Sequence, residues 1–556
     1  MSSQADAGST RRRLVLAAIL LLTVCLGARD ITDPASGMLG GDMARYMMDG
    51  VFVRDLAAHG GAWSLAALTH AAELYFAKYP ALSLGHHPPL PYLALTPFFS
   101  VFGLSITSAR LAAIGWFLLA TGGLYLMIRR LAGSHAAAWA ALLFVTNVFV
   151  LRFGQYVLSE MPMLALVLVS VNFLLAFCDS GRLKHFIWFV VAVIASLFAK
   201  QTAAFLFPVY AVILMRRFGL RQLLNRRFLI VAGIGLIVIV PLVIMTVLLA
   251  PENVGIVMWQ VSRLVSGQRQ AHTSMILAKI FGTHLAVPVM GLVVAGAMAL
   301  VARRHPLFTI GATWLVAVIG CTVVLAGAVE PARYAFAAMP GYVMLAVGLW
   351  VAARTKPAQI AAAALLAGAV LWQGWLIRDV RPSGAGGYET AAQYVLDHSA
   401  SPVVLYDSSV DTGFFVFYVR AHDPAGRLIT LRADKVLVSE WERATREHGP
   451  DRARDAAAFE AALKLYGVQY VVIEDRIEGA EILTTMREEL KTDRFAERRR
   501  IPIVSGEIDA QGVDLVVYEY LNAQPPDLNA QVFIGLPMGN REIKVHLRDL
   551  IVSGGR

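Results

Sequence analysis

The chain has 556 residues, 57% hydrophobic and only 16% charged, with 49 Lys+Arg against 39 Asp+Glu and a net charge of +10. Soluble domains average about 25% charged residues, so this composition, with a mean hydropathy of +0.60, excludes an ordinary soluble protein over most of the length. Nucleic acid is excluded as a partner too, because the basic excess lies in short connections between apolar runs: residues 1–377 hold 27 Lys+Arg and 11 Asp+Glu, and residues 378–556 hold 22 and 28, which is the charge bias of cytoplasmic loops.

A helix that crosses a membrane needs about 20 apolar residues, since lipid offers no partner to an unpaired backbone group. Eleven such runs are predicted, near 14–28, 109–128, 135–151, 160–178, 185–199, 201–215, 228–249, 285–302, 307–328, 334–353 and 357–377. The first, behind Arg11-Arg12-Arg13, lacks a convincing small-residue cleavage site and is read as an uncleaved helix. Basic clusters then set the parity. Arg11–Arg13, Arg129-Arg130, Arg182 with Lys184, Arg216 to Arg227, Arg303-Arg304 and Arg354 with Lys356 occupy every second loop if the N-terminus is cytoplasmic.

That parity puts outside the long loop 29–108, the turn 152–160, the turn at Lys200, the loop 250–284, a later turn at Glu330 and Arg333, and everything from residue 378 on. Residues 88–105 are apolar but carry Pro88, Pro89, Pro91 and Pro97. A full crossing there would invert every later cluster, so a short helix at the outer interface, lying flat or re-entering, is expected. Cys25, Cys178 and Cys321 lie in or beside apolar runs and read as small buried hydrophobes. Beyond residue 377 the pattern changes. Short β-rich runs at Val403–Tyr406, Phe414–Val419, Gln469–Ile473 and Leu515–Tyr520, with amphipathic helices near 455–466 and 479–490, predict an α/β domain; it has no cysteine and so no disulfide framework. The expected fold is thus a polytopic α-helical membrane domain, residues 1–377, followed by a soluble extracytoplasmic α/β domain, residues 378–556.

A charge at membrane depth costs about 2.5–3.5 kcal/mol on insertion scales and asks for a reason. Under this topology the conspicuous polar residues gather on the outer face. Asp42, Arg45, Asp49, Arg54, His86 and His87 lie in the first outer loop, Arg152 and Glu160 at the second turn, Lys200 at the third, and Glu330 and Arg333 at a later one. Each taken singly has a bland role. Asp42 suits a helix N-cap, and Glu160, two residues before Pro162, suits a helix dipole. His86-His87 fits a turn, and two histidines without further ligands make no metal site. Lys200 and Arg333 could snorkel. Together they differ from a topology signal, which needs only Lys and Arg, and look like a group-transfer site.

The order of these motifs carries more. Asp42-Met-Ala-Arg-Tyr46 opens the loop, followed by Pro88-Pro89-Leu90-Pro91-Tyr92, Phe102-Gly103, Arg110-Leu111, Glu160-Met161-Pro162, Lys200-Gln201-Thr202, and Arg333-Tyr334 with Pro340. This series resembles the GT-C superfamily of membrane glycosyltransferases, in particular the branch of protein O-mannosyltransferases and bacterial aminoarabinose transferases. Met43 stands where the family often has Glu, and His87 where aminoarabinose transferases carry Lys. The resemblance implies an inverting transferase in the cytoplasmic (inner) membrane, with its C-terminal domain periplasmic. The donor would be a polyprenyl-phosphate-linked sugar taken from among the membrane lipids, and the acceptor a lipid, polysaccharide or protein.

By the family's motif Asp42 is the general base, with Glu160 sharing that role, positioning the acceptor, or holding Arg45 or Arg152. Arg45, His86, His87, Lys200 and Arg333 become donor-phosphate or substrate ligands. No metal ligand is assigned; a divalent cation stays open as a cofactor. Two rivals are a transporter or flippase of lipid-linked sugars, which would place polar residues at mid-membrane, and an inactive relative serving as a receptor or assembly subunit.

Overall fold

The computed structural model describes residues 2–33, 42–58, 64–223, 226–249, 270–325, 331–378, 386–437, 455–476, 481–504, 512–536 and 541–552, with isolated residues between. Among these, six helices are long and apolar enough to cross a membrane: Ile106–Ala132, Glu160–Ser180, Gln201–Gly219, Leu229–Leu248, Pro306–Val324 and Lys356–Arg378. Two sharply bent pairs raise the number to eight: Ser134–Val145 with Val148–Gln155, at 70°, and Ser274–His284 with Val287–Ala302, at 103°. Against the expected eleven, the described residues thus hold between six and eight candidate spans. Of the remaining runs, Leu183–Ala199 and Phe336–Ala352 are shorter apolar helices. Hydropathy alone does not register how they end. At the first bend the side-chain oxygen of Asn147 accepts the N–H groups of Phe149 and Val150, both at 3.0 Å, which starts a new helix inside an apolar run.

The loop 29–108, expected on the outer face, holds three helices, Asp42–Ala58, Leu65–Lys78 and Leu90–Phe102. The last corresponds to the expected Pro-rich short helix. It packs on the first so closely that a Cβ at Gly50 would meet Leu95 Cβ at 3.0 Å and Tyr92 O at 3.2 Å. Arg110, buried at the start of its span, gathers the chain leading into this loop by donating to the carbonyls of Asp30, Ile31 and Asp33 at 2.9–3.1 Å.

Toward the C-terminus, strands β1 (Val403–Asp407), β2 (Ile429–Arg432), β3 (Tyr470–Glu474), β4 (Phe495–Pro502) and β5 (Asp514–Tyr520) form one sheet in the order β2-β1-β3-β5-β4. β1 runs parallel to both β2 and β3, and the other pairings are antiparallel. A separate hairpin joins β6 (Gln531–Leu536) to β7 (Arg541–His546). Three of the four expected runs fall on strands. Phe414–Val419 does not: it lies in the helix Phe414–His422. Every residue of that run is buried, so it shows no amphipathic period, and an apolar run without a period does not distinguish a covered helix from a covered strand.

One continuous cluster of buried side chains runs from Phe99 and Phe117 among the apolar helices to Val404 and Val472 in the sheet. Polar contacts cross the same junction. Arg420 reaches Asp55 Oδ2 at 2.8 Å, and Tyr75 donates to the same oxygen at 2.8 Å. Arg432 donates to Pro80 O at 3.0 Å, and Lys78 Nζ to Leu550 O at 2.8 Å.

The segment after β1 is held from behind by Glu474, the last residue of β3. Its carboxylate accepts the hydroxyls of Tyr388 and Tyr406, both at 2.8 Å, and the N–H groups of Val410 and Asp411. Complete burial pushes Glu474 up to about 7, against these hydrogen bonds and with the help of Asp411. The folded protein thus holds this proton to higher pH than the unfolded chain, whose value is near 4.5. This contribution to stability is full below pH 4.5 and is lost as pH rises through about 7. Glu474→Gln should flatten that part of the decline when thermal midpoints are compared with wild type across the interval. Parallel curves would remove Glu474 as the titrating group.

Candidate functional site

Four charged side chains from distant parts of the chain meet at the start of the helix Asp42–Ala58. Asp42 is the first residue of its helix, where the dipole favours an acid. Glu160 starts the span Glu160–Ser180, whose first turn is fixed by Pro162. Lys200 sits in extended backbone between the helix Leu183–Ala199 and a 3-10 turn, Gln201–Leu206. Arg333 belongs to the short helix Pro331–Tyr334.

Arg333 connects both acids, with Nη2 2.7 Å from Asp42 Oδ2 and Nε 2.5 Å from Glu160 Oε1. Lys200 Nζ reaches the same Glu160 oxygen at 2.6 Å, while Glu160 Oε2 has no hydrogen-bond partner among the described residues. Two acids and two cations thus balance. Exposure separates the acids: the Glu160 side chain is 1% exposed and that of Asp42 24%. Asp42 faces an opening, whereas Glu160 is sealed behind its cations. Burial would raise Asp42, but His87, Arg333 and Arg45 hold its carboxyl well below the usual range.

His87 stacks on Tyr46 at 4.7 Å, takes His86 edge-on at 4.7 Å, and brings Nε2 to 3.6 Å from Asp42 Oδ1. Burial pushes His87 down to about 4 even beside Asp42, so at neutral pH it is uncharged. In that state it can offer a hydrogen bond to a ligand. Asp49, buried on the Asp42 helix, accepts the N–H and hydroxyl of Ser83 at 2.9 and 2.8 Å and so ties the turn carrying His86 and His87 to that helix.

Holding Arg45 or Arg152 is one of three roles expected of Glu160, beside sharing the base role and positioning the acceptor; its ion pairs are with Lys200 and Arg333. Arg152 is exposed, and Arg45 donates from Nε and Nη2 to Thr412 Oγ1 at 3.2 and 3.1 Å. Glu330 lies outside the described residues. Two contributors went unrecognised in the sequence. Thr412 comes from the C-terminal part. His284 is buried, and its Nε2 lies 2.8 Å from the carbonyl of Ala332, next to Arg333. A carbonyl only accepts, so that nitrogen carries the proton. Neither residue stands in a recognisable pattern, and only the folded chain brings them here. Among the described residues, no three His, Cys, Asp or Glu side chains converge as a metal site would require.

Residues 86–245 match the family model described as dolichyl-phosphate-mannose-protein mannosyltransferase. That stretch includes His86, His87, Glu160 and Lys200. No curated protein matches the chain. Among solved structures it is similar to ArnT from Cupriavidus metallidurans bound to undecaprenyl phosphate, at 15% identity and TM-score 0.57, covering 94% of this chain and 100% of that one. It is similar also to the oligosaccharyltransferase AglB from Archaeoglobus fulgidus in complex with an inhibitory peptide and a dolichol-phosphate, at 13% identity and TM-score 0.54, covering 84% and 70%. A third, the arabinofuranosyltransferase AftD from Mycobacteria, has 14% identity and TM-score 0.50, covering 94% and 41%. Each of these likenesses is one of fold, over most of this chain. The chain has the GT-C fold, and the resemblance read from its motifs holds.

Proposed function

We propose that the protein is an inverting glycosyltransferase that moves a sugar from a polyprenyl-phosphate carrier to a cell-envelope acceptor. In this reading the site and the C-terminal α/β domain lie on the outer face of the cytoplasmic membrane. The observation that carries the proposal is the bridging of Asp42 and Glu160 by Arg333, with Asp42 at the opening and Glu160 sealed inside. The placement draws on the alternating basic clusters and on the packing of the C-terminal part against the first outer loop.

Lys200, Arg333 and Arg45 supply positive charge for the donor phosphate, and neutral His87 adds a hydrogen bond. A phosphate arriving there competes for Arg333, which draws charge away from Asp42 and restores its basicity. Asp42 then takes the proton of the acceptor hydroxyl as its oxygen attacks the anomeric carbon from the face opposite the phosphate. The new glycosidic C–O bond forms while the anomeric C–O bond to phosphate breaks, and the leaving lipid phosphate keeps the electron pair. Direct displacement inverts the anomeric centre. Charge development on the departing phosphate is met by cations already in place. In mass spectra of envelope lipids and glycans, a strain lacking the gene should lose a single sugar from one component, restored by the wild-type gene. An unchanged envelope would overturn the proposal.

A further inference from the structure

The C-terminal part meets the start of the helix of Asp42 at residues 408–413, one end of a contact whose other end is the Arg420–Asp55 pair. The Glu474 carboxylate fixes the backbone of residues 408–413 at Val410 and Asp411. Asp411 Oδ1 then accepts the N–H groups of Gly413 and Phe414, both at 2.8 Å, which turns the chain into the helix Phe414–His422. Gly413 lies so close to the Asp42 helix that a Cβ there would fall 2.7 Å from Ala44 Cβ. Between these fixed points stands Thr412, with its hydroxyl oxygen 3.1–3.2 Å from two guanidinium nitrogens of Arg45. Arg45 is one helical turn from Asp42 and close enough to lower its carboxyl.

We propose that Thr412 is a positioning residue that holds the Arg45 guanidinium in the donor-phosphate site, so that the C-terminal domain completes that site. The proposal rests on the reading of Arg45 as a donor-phosphate ligand given above. A backbone-anchored hydroxyl fits the task. It accepts from the guanidinium without adding a negative charge that would repel phosphate, and it restricts a side chain that otherwise carries considerable rotamer freedom.

The test uses the full chain in lipid and measures binding of undecaprenyl phosphate alone. Thr412→Val keeps the shape and removes the acceptor; it should weaken binding about tenfold, the scale of one hydrogen bond to a charged group. Thr412→Ser should bind as wild type does. In an Arg45→Ala background Thr412→Val should add nothing, because the two residues act as one unit. Thermal midpoints are followed throughout, and Thr412→Ala replaces the valine variant if that one does not accumulate. Normal binding by Thr412→Val beside weak binding by Arg45→Ala overturns the positioning role and leaves the donor site standing. Additive losses likewise overturn it. A wild-type protein that does not bind undecaprenyl phosphate removes the donor site itself, and the positioning role with it.

Discussion

Asp42→Asn is expected to leave a folded protein whose transfer rate falls at least about a hundredfold, the low end for loss of a general base. Asparagine starts a helix about as well as aspartate, and its side-chain oxygen can still accept from Arg333 Nη2, now 2.7 Å from the carboxylate. Arg333 also keeps Glu160, so the substitution strands no cation. What it removes is an atom able to take a proton at neutral pH. Turnover and thermal midpoint, measured on the same purified variant, separate the two roles that an acid at a helix start can play. A stable variant with wild-type turnover would end the case for Asp42 as base. Glu160 would then be the remaining carboxylate in the cluster, although sealed.

Glu160→Gln is expected to act on the fold as much as on the chemistry. Its carboxylate neutralises Lys200 and Arg333, whose side chains are only 12% and 14% exposed. Removing one partner of a buried ion pair costs about 3–5 kcal/mol, because a charge is left without compensation. Arg333 would still have Asp42, so Lys200 bears most of the loss. The double variant Glu160→Gln, Lys200→Met should therefore regain much of the thermal midpoint while remaining inactive, since the phosphate would have lost a cation. An unchanged midpoint for Glu160→Gln alone would show that the cluster does not hold these elements together.

The separate pieces of this site were legible in the sequence, but their pairing was not. Asp42 and Arg333 are 291 positions apart and form an ion pair. Motif order and the parity of basic clusters put both on one face, yet neither tells which acid takes which cation. Spacing along a chain does not encode the approach of Lys200 to Glu160 from a turn 40 positions away. Apolar runs marked where the helices lie but not where they break, since the cap at Asn147 falls inside the run 135–151, which remains apolar throughout. In the C-terminal part β1, β3 and β5 were readable from their buried β-rich runs. β4, with the sequence FAERRRIP, was not, because an edge strand presents a row of charges to water.

The sheet has a further consequence. From β1 the chain passes to β2 on one side and then crosses to β3 on the other, so the carboxyl ends of these parallel strands flank the crevice where open α/β sheets ordinarily take their ligands. Here the crevice is plugged. The residues following β1 fill it, the carboxylate of Glu474 at the end of β3 is spent on them, and Arg432 at the end of β2 reaches across to Pro80. What serves elsewhere as a binding mouth has become the ball of a joint, with the helices of residues 42–84 as its socket. Such a joint is specific to its two halves. In a chimera with a distant relative, the C-terminal domain would need to be exchanged together with residues 42–84, and exchanged alone it would bring mismatched charges against Asp55 and Pro80.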